Sequence, residues 1–273
     1  MHDPGPAFRA LHQPGTPFVL ANAWDTGSAR VLAALGAQAI GTSSAAHAFT
    51  IGKPDMGFVT RDEALAHGAE LVAATNLPVS GDYENGYAAA PDGVAETIRL
   101  SAEAGLAGCS IEDTDLPGTD AYPFELAVER IRAAASAARA LPRDFVLVAR
   151  ADGVMNEAYD MQEALRRVRA FDEAGADCLY VPLPPDMPAL GDVVAATAKP
   201  VNALAAGPFS KGAHAQFAAL GIARISLGAA LARTTHAALV ETARQILSEG
   251  DFSGLGGISG AQIDTLLQDG AQK

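Results

Sequence analysis

Cysteine, tryptophan and basic residues are all scarce in this sequence, and each shortage closes off a class of protein. Two cysteines in 273 residues, Cys109 and Cys178, offer neither a disulfide framework nor a metal-binding spacing. That predicts a protein suited to a reducing, cytoplasmic setting. Lysine and arginine number 19 against 32 aspartate and glutamate, a formal charge of −13. A phosphate-backbone partner then needs a local basic patch. The densest basic run, Arg166, Arg167 and Arg169, shares a helical pattern with Glu163 and Asp172. It reads as a solvated helix face, so no nucleic-acid partner is expected. No apolar run approaches membrane-spanning length, and the opening MHDPGPAFRALHQPG lacks a basic-then-apolar signal pattern; no membrane partner is expected either. Two nucleotide signatures are also missing. ANAWDTGSAR after the first apolar run is not a dinucleotide fingerprint, and the glycine cluster DFSGLGGISG lacks the lysine of a phosphate-cradling loop.

What is present is ample apolar material, 49% of the chain, in short runs alternating with longer amphipathic segments. Eight runs read as strands: FVLANAW (18–24), AIGTSS (39–44), PVSGDYE (78–84), GCSIEDT (108–114), FVLVARAD (145–152), CLYVPL (178–183), PVNALA (200–205) and RISLG (224–228). Helical patterns lie between them, notably over 60–75, 91–105 and 123–141, and after the last strand over 229–250. Gly36, Gly105, Gly175 and Gly221 each sit where a helix must stop before the next strand. Eight such units without a composition break predict one α/β domain over 1–273, a (β/α)8 TIM-type barrel. Its core is expected over about 18–250, with a C-terminal helical tail over about 251–273.

In such a barrel the functional groups collect where strands end. Strand 3 ends in Asp82-Tyr83-Glu84, and on an extended chain the two acids point the same way. Strand 4, its neighbour, ends in Glu112-Asp113. Asp82, Glu84 and Glu112 therefore converge on one patch, where like charges need a cation or protons. All-oxygen ligands suit Mg²⁺ first and Mn²⁺ second; the plainer reading is an acidic rim paired with Lys or Arg. Strand 5 ends in Arg150-Ala151-Asp152, and Arg150 either grips a substrate carboxylate with its planar fork or pairs with the acids. Strand 2 ends in Thr42-Ser43-Ser44, whose hydroxyls and N–H groups suit another anionic oxygen. Trp24, the single tryptophan, ends strand 1 as a pocket wall or as core. His47 follows strand 2, either within reach of the pocket or in a plain loop or packing role.

Taken in order, Ser43-Ser44, GKPDMG (52–57), GDYENGY (81–87), SIEDT (110–114) and VARAD (148–152) resemble the isocitrate lyase / phosphoenolpyruvate mutase superfamily over nearly the whole chain. The resemblance implies Asp82 as the Mg²⁺ ligand, with Glu84 and Glu112 holding its waters. Ser43, Ser44 and Arg150 would bind a 2-oxo acid carboxylate, Asp55 would sit on the loop over the metal, and Asn202 would be a polar pocket residue. It also implies a homodimer or homotetramer in which the last helix packs on a neighbouring subunit.

Departures from the family pattern narrow the chemistry. The lyases carry a Lys-Cys-Gly-His type motif on the loop after strand 4, and the mutases a Lys-Leu-Phe-Pro-Lys-Thr-Asn type segment. Here that loop is DTDLPGTDAYPFE (113–125), without Cys, Lys or His. GDYENGY replaces the family's Asp-Ala-Asp-Thr-Gly-Tyr-Gly, so Glu84 stands for a shorter acid. The expected activity is a Mg²⁺-dependent carbon–carbon lyase or decarboxylase on a small 2-oxo or 2-hydroxy carboxylate, working through an enolate. Asp55, Arg150 and Tyr83 are its candidate catalytic groups; a retro-aldol or Claisen-type cleavage needs a base, which Tyr83, Tyr87 or a metal-bound water would supply. A phosphonopyruvate hydrolase or phosphoenolpyruvate mutase-like enzyme is the alternative within catalysis, and a catalytically reduced 2-oxo acid binding protein the alternative outside it.

Overall fold

A computed structural model describes residues 3–273. The eight strands are β1 Phe18–Asn22, β2 Ile40–Gly41, β3 Val79–Asp82, β4 Gly108–Glu112, β5 Val146–Arg150, β6 Cys178–Tyr180, β7 Val201–Leu204 and β8 Arg224–Ser226. All pair in parallel, in chain order, and β8 closes on β1. This is the expected (β/α)8 barrel. Helices α1 Gly5–Leu11, α2 Thr26–Ala34, α3 Ser44–Thr50, α4 Arg61–Ala74, α5 Pro91–Glu103 and α6 Phe124–Ala140 run through the first half of the chain. Helices α7 Met161–Glu173, α8 Met187–Ala195, α9 His214–Ala219, α10 Ala230–Arg244 and α11 Gly260–Gly270 complete it. None among the described residues is long and apolar enough to cross a membrane.

The repeated αβ turn works as its glycines suggest. Gly36, Gly105, Gly175 and Gly221 have φ of 96°, 93°, 104° and 88°, a region in which a Cβ would be strained. Each ends a helix and hands the chain directly to a buried strand.

Helix α1 was not among the expected elements: seven residues containing glycine and proline give no readable period. It closes the N-terminal end of the barrel. Phe8 is fully buried and meets Phe18 at a ring distance of 6.1 Å and His12 at 4.8 Å. Arg9 anchors the helix outside, bonding Asp144 at 2.6 Å and Asp177 at 2.8 Å. Burial pushes His12 down to about 3, so its imidazole adds no charge to the packed face of this helix at neutral pH.

Beyond α10 the chain makes a π turn over Gln245–Glu249, and α11 then lies against α2 of the same chain. A Cβ on Gly270 would lie 1.9 Å from the Arg30 carbonyl oxygen, so only glycine permits that approach.

The basic run on α7 divides between two environments. Arg166 is exposed and covers the Phe124 ring at 3.5 Å. Arg167, expected on a solvated face, is instead buried and pairs with Asp113 at 2.9 Å. It shares the inner face of α7 with Ala164, Val168 and Phe171, which places it over the end of β4.

Candidate active site

A cavity of about 630 Å³ opens at the C-terminal ends of the strands, within the range of small-ligand sites. Asp55, Ser43, Ser44, Asp82 and Arg150 all line it.

The centre of the wall is Arg150. Its Nη1 donates to Asp82 Oδ1 at 2.7 Å, and its Nε and Nη2 take the two oxygens of Asp152 at 3.1 and 2.5 Å. Nη2 also lies 3.1 Å from Glu112 Oε2, its register partner across β4 and β5. Both readings of this arginine thus have a footing: it faces the cavity, and it is already ion-paired. Burial opposes its charge, but Asp152, Glu112 and Asp82 hold it well above the ordinary arginine value. Asp152 is itself fixed, because its N–H donates to Asp113 Oδ1 at 2.8 Å. Asp113 in turn accepts from Tyr159 at 2.7 Å and from Arg167 at 2.9 Å. A buried chain of charges therefore runs from α7 to the cavity wall.

Asp82 is held from the other side as well. Its Oδ2 accepts from the N–H and the hydroxyl of Ser44, both at 3.0 Å, and its own N–H donates to Thr42 Oγ1 at 2.7 Å. Of the two serines expected to face an anion, Ser44 thus already orients Asp82. Ser43 caps α3 through the N–H of Ala46.

Glu84 does not follow the alternation expected of it. The strand ends at Asp82, and a turn closed by the Gly86 N–H on the Tyr83 carbonyl puts Glu84 at φ 45°. Its side chain leaves the main cavity for a neighbouring one shared with Gly57 and Tyr122. There Oε1 accepts from the Gly57 N–H at 3.2 Å, while Oε2 is buried without a partner. Burial pushes Glu84 up to about 7, with Asp82 and Asp55 adding to the rise. Burial likewise raises Asp55 and raises Glu112 well above the carboxylate range, in Glu112 against the pull of Arg150.

The Asp55 loop is braced. Met56 and Gly57 have φ of 72° and 84°, and Gly57 packs against Leu116 and Pro117 of the loop after β4. That loop is pinned across its base by a Thr114–Ala121 bridge. The loop that lacks Cys, Lys and His therefore supports the Asp55 loop.

Three expected residues lie elsewhere. Tyr83 is a correction: it packs between Gly68, Gly81 and Leu106, 1% exposed, and does not line the cavity. Trp24 also lies outside the cavity wall; its carbonyl bonds His67 at 3.0 Å, and His67 stacks on His47 at 3.9 Å. Asn202 is wholly buried in the barrel interior, bonding Ser226 Oγ at 2.9 Å with its Oδ1 unpartnered.

Other wall residues were not singled out from the sequence: Asn22, Ser80, Ser110, Tyr180 and Arg224. The signal was there, since polar residues at alternate positions of strands buried on both faces contradict the usual apolar run. Asn22 ties three strand ends together, donating to the Thr42 carbonyl at 2.6 Å and accepting from Leu227 and Gly228 at 2.8 and 3.0 Å.

Among the described residues, no three acidic, histidine or cysteine side chains are arranged as a ready-made metal site. The donor chemistry nevertheless suits a hard cation. Asp55, Asp82, Glu84 and Glu112 lie within mutual electrostatic reach of one arginine, and one buried oxygen of Glu84 is unmatched.

The sequence profile of the phosphoenolpyruvate phosphomutase family matches residues 8–247. A solved structure from Burkholderia cenocepacia J2315, provisionally described as a lyase/mutase, is 42% identical with a TM-score of 0.91, covering 96% of this chain and 94% of that one. The 2-methylisocitrate lyase of Escherichia coli (strain K12) is 32% identical over 66% of this chain and 62% of its own length. The 2,3-dimethylmalate lyase of Eubacterium barkeri is 33% identical over 61% and 58%. The chain belongs to the phosphoenolpyruvate phosphomutase family, within the isocitrate lyase / phosphoenolpyruvate mutase superfamily of lyases and mutases.

Proposed function

We propose that this protein is a carbon–carbon lyase, or a decarboxylase, acting on a small 2-oxo or 2-hydroxy carboxylate through an enolate. One observation carries the reading: Asp82, Arg150 and Asp55 meet in one cavity, with Glu112 behind Arg150 and the serines of the β2 end beside Asp82. The two named relatives are lyases of substituted malate and isocitrate. Breaking a bond β to an oxo carbon leaves an enolate, and a cavity with fixed cationic and N–H groups stabilises that charge without reorganising.

Asp82 would hold Mg²⁺, and Glu112, behind Arg150, would serve its waters; Glu84 would join it only by turning back from the neighbouring cavity it now occupies. When bound, the cation supplies a Lewis-acid charge to the oxo oxygen. Arg150 orients the substrate carboxylate together with Ser43 and Ser44. Asp55 lies on a loop that lines the cavity, and its raised pKa suits a group that holds and returns a proton. Tyr83, buried behind the strand, takes no part in proton transfer. Assembly into a dimer or tetramer belongs to the same reading; Leu239, Val240, Leu247, Phe252, Leu255 and Ile258, all near the C-terminus, are apolar side chains left exposed in the single chain.

The family description favours carbon–phosphorus chemistry as a second reading, and the loop after β4, without lysine, speaks against it. Products decide: a smaller oxo acid supports the lyase, phosphorus released or rearranged supports the alternative, and affinity without turnover leaves a binding protein. Arg150→Lys keeps the charge and loses the planar fork. Calorimetry should show 2-oxo acid affinity weakened by about 1–3 kcal/mol. Unchanged affinity would mean that Arg150 serves only the acids around it.

A further inference from the structure

The barrel interior holds a cation that forms no ion pair among the described residues. Arg224 opens β8, in register with Phe18 of β1 and Asn202 of β7. Strands run towards the mouth, so a side chain at the start of β8 that still lines the cavity forms its floor. Arg224 is 4% exposed, its Nε and Nη1 are buried without an acceptor, and it makes no ion pair among the described residues. Burial drives its pKa down, and Arg150 adds to the fall while Asp82 opposes it. Asp82 is already committed to Arg150 and Ser44.

Two neighbours are equally unmatched. Ser80, 2% exposed on the same wall, has a hydroxyl without a partner, and Asn202 Oδ1 lacks a donor although it adjoins Arg224 in register. An isolated buried guanidinium is among the costliest groups a fold can carry, and an apolar side chain of similar size usually serves stability better. Such a charge on the wall of a ligand cavity calls for a counter-ion that arrives through the mouth.

We propose that Arg224, with Ser80 beside it, forms a second carboxylate subsite on the cavity floor, so that the substrate is a dicarboxylate held at both ends. This rests on the preceding reading for the first carboxylate, at Arg150 and the Ser43–Ser44 turn. Arg150, Arg224 and Asp82 all line the one cavity, so an acid held by both arginines would lie within the pocket that also presents Asp82.

Titration calorimetry with Mg²⁺ compares oxaloacetate and 2-oxoglutarate with pyruvate and 2-oxobutyrate. The parent should prefer the dicarboxylates by about ten- to a hundredfold, the worth of one buried charge-assisted contact. Arg224→Met should abolish that preference and leave the monocarboxylates within about twofold. It should also raise the melting temperature of the ligand-free protein by about 2 °C or more, because an uncompensated buried charge is gone. Arg224→Lys should keep the preference in part. A parent with no preference, or with no affinity for either class, would overturn the subsite. So would an Arg224→Met protein that melts lower and still prefers dicarboxylates, since Arg224 would then be a structural group. Should no acid be turned over while the preference persists and vanishes in Arg224→Met, the lyase reading falls and the subsite stands.

Discussion

Asp82→Ala should lower turnover by about 10³-fold or more, roughly 4 kcal/mol of transition-state stabilisation, and leave the protein folded. The first half follows from position: Asp82 is the carboxylate that faces the cavity, touches Arg150 and receives both donors of Ser44. Without it the cation has no direct ligand in the proposed arrangement, and the oxo oxygen loses its strongest counter-charge. The second half follows from what remains. Arg150 keeps Asp152 and Glu112, and the surplus of negative charge around it falls by one. Ser44 borders the cavity, where water can replace the lost oxygen. Product analysis with circular dichroism and thermal melting on the same sample separates the two effects. Turnover within tenfold of the parent would remove Asp82 from the chemistry, and a collapsed melting curve would make it a structural residue.

Arg167→Met should cost about 3–5 kcal/mol of stability, the usual penalty for stranding one member of a buried ion pair. In a chain of this size that corresponds to a fall in melting temperature of about 10 °C. Arg167 and Asp113 have side-chain exposures of 6% and 2%, so solvent screens them little. Once Arg167 is gone, Asp113 keeps only the Tyr159 hydroxyl and the Asp152 N–H against its charge. Asp113→Asn in the same chain should return part of the loss, because the stranded charge disappears with it. The effect also reaches the site: Asp113 fixes Asp152, and Asp152 holds the guanidinium of Arg150. Catalysis should therefore drop along with stability, although Arg167 is remote from the cavity wall. A melting temperature within about 2 °C of the parent would show that the pair contributes little.

The two arginines of α7 show where a sequence informs and where it stops. Arg167 lies three residues from Ala164 and four from Phe171, beside Val168 on one helical face, so its burial is readable from the period alone. Counting it with Arg166 and Arg169 as a charge run concealed that. The eight strands are legible because each is a short apolar run between helical patterns, four of them, β2, β4, β6 and β8, directly after a glycine-stopped helix. Glu84 was misplaced for a local reason. Alternation holds only while the chain is extended, and a turn at Tyr83 ends β3 before Glu84. Arg150 and Asp152, two apart at the end of β5, do obey it and form a bidentate pair. Arg224 was visible in principle, since its parity with Ser226 aims it inward, but a lone arginine at a strand start reads as solvated. The brace between the Asp55 loop and Leu116-Pro117 joins segments about sixty residues apart, and local pattern carries no trace of such a contact.

The parent protein should convert a small oxo or hydroxy acid into a smaller one. Proton and phosphorus NMR should follow a panel of 2-oxo and 2-hydroxy acids with Mg²⁺, using the parent and Glu112→Gln in parallel. Glu112 lies 3.1 Å from Arg150, so its amide variant keeps the shape and removes the carboxyl that backs Arg150. Oxaloacetate belongs in the panel, and the variant corrects for its slow decarboxylation by Mg²⁺ alone. A smaller oxo acid appearing with the parent, and strongly reduced with Glu112→Gln, is the result this account predicts. Identical spectra from the two proteins across the panel, or products in which only phosphorus has moved, would contradict it.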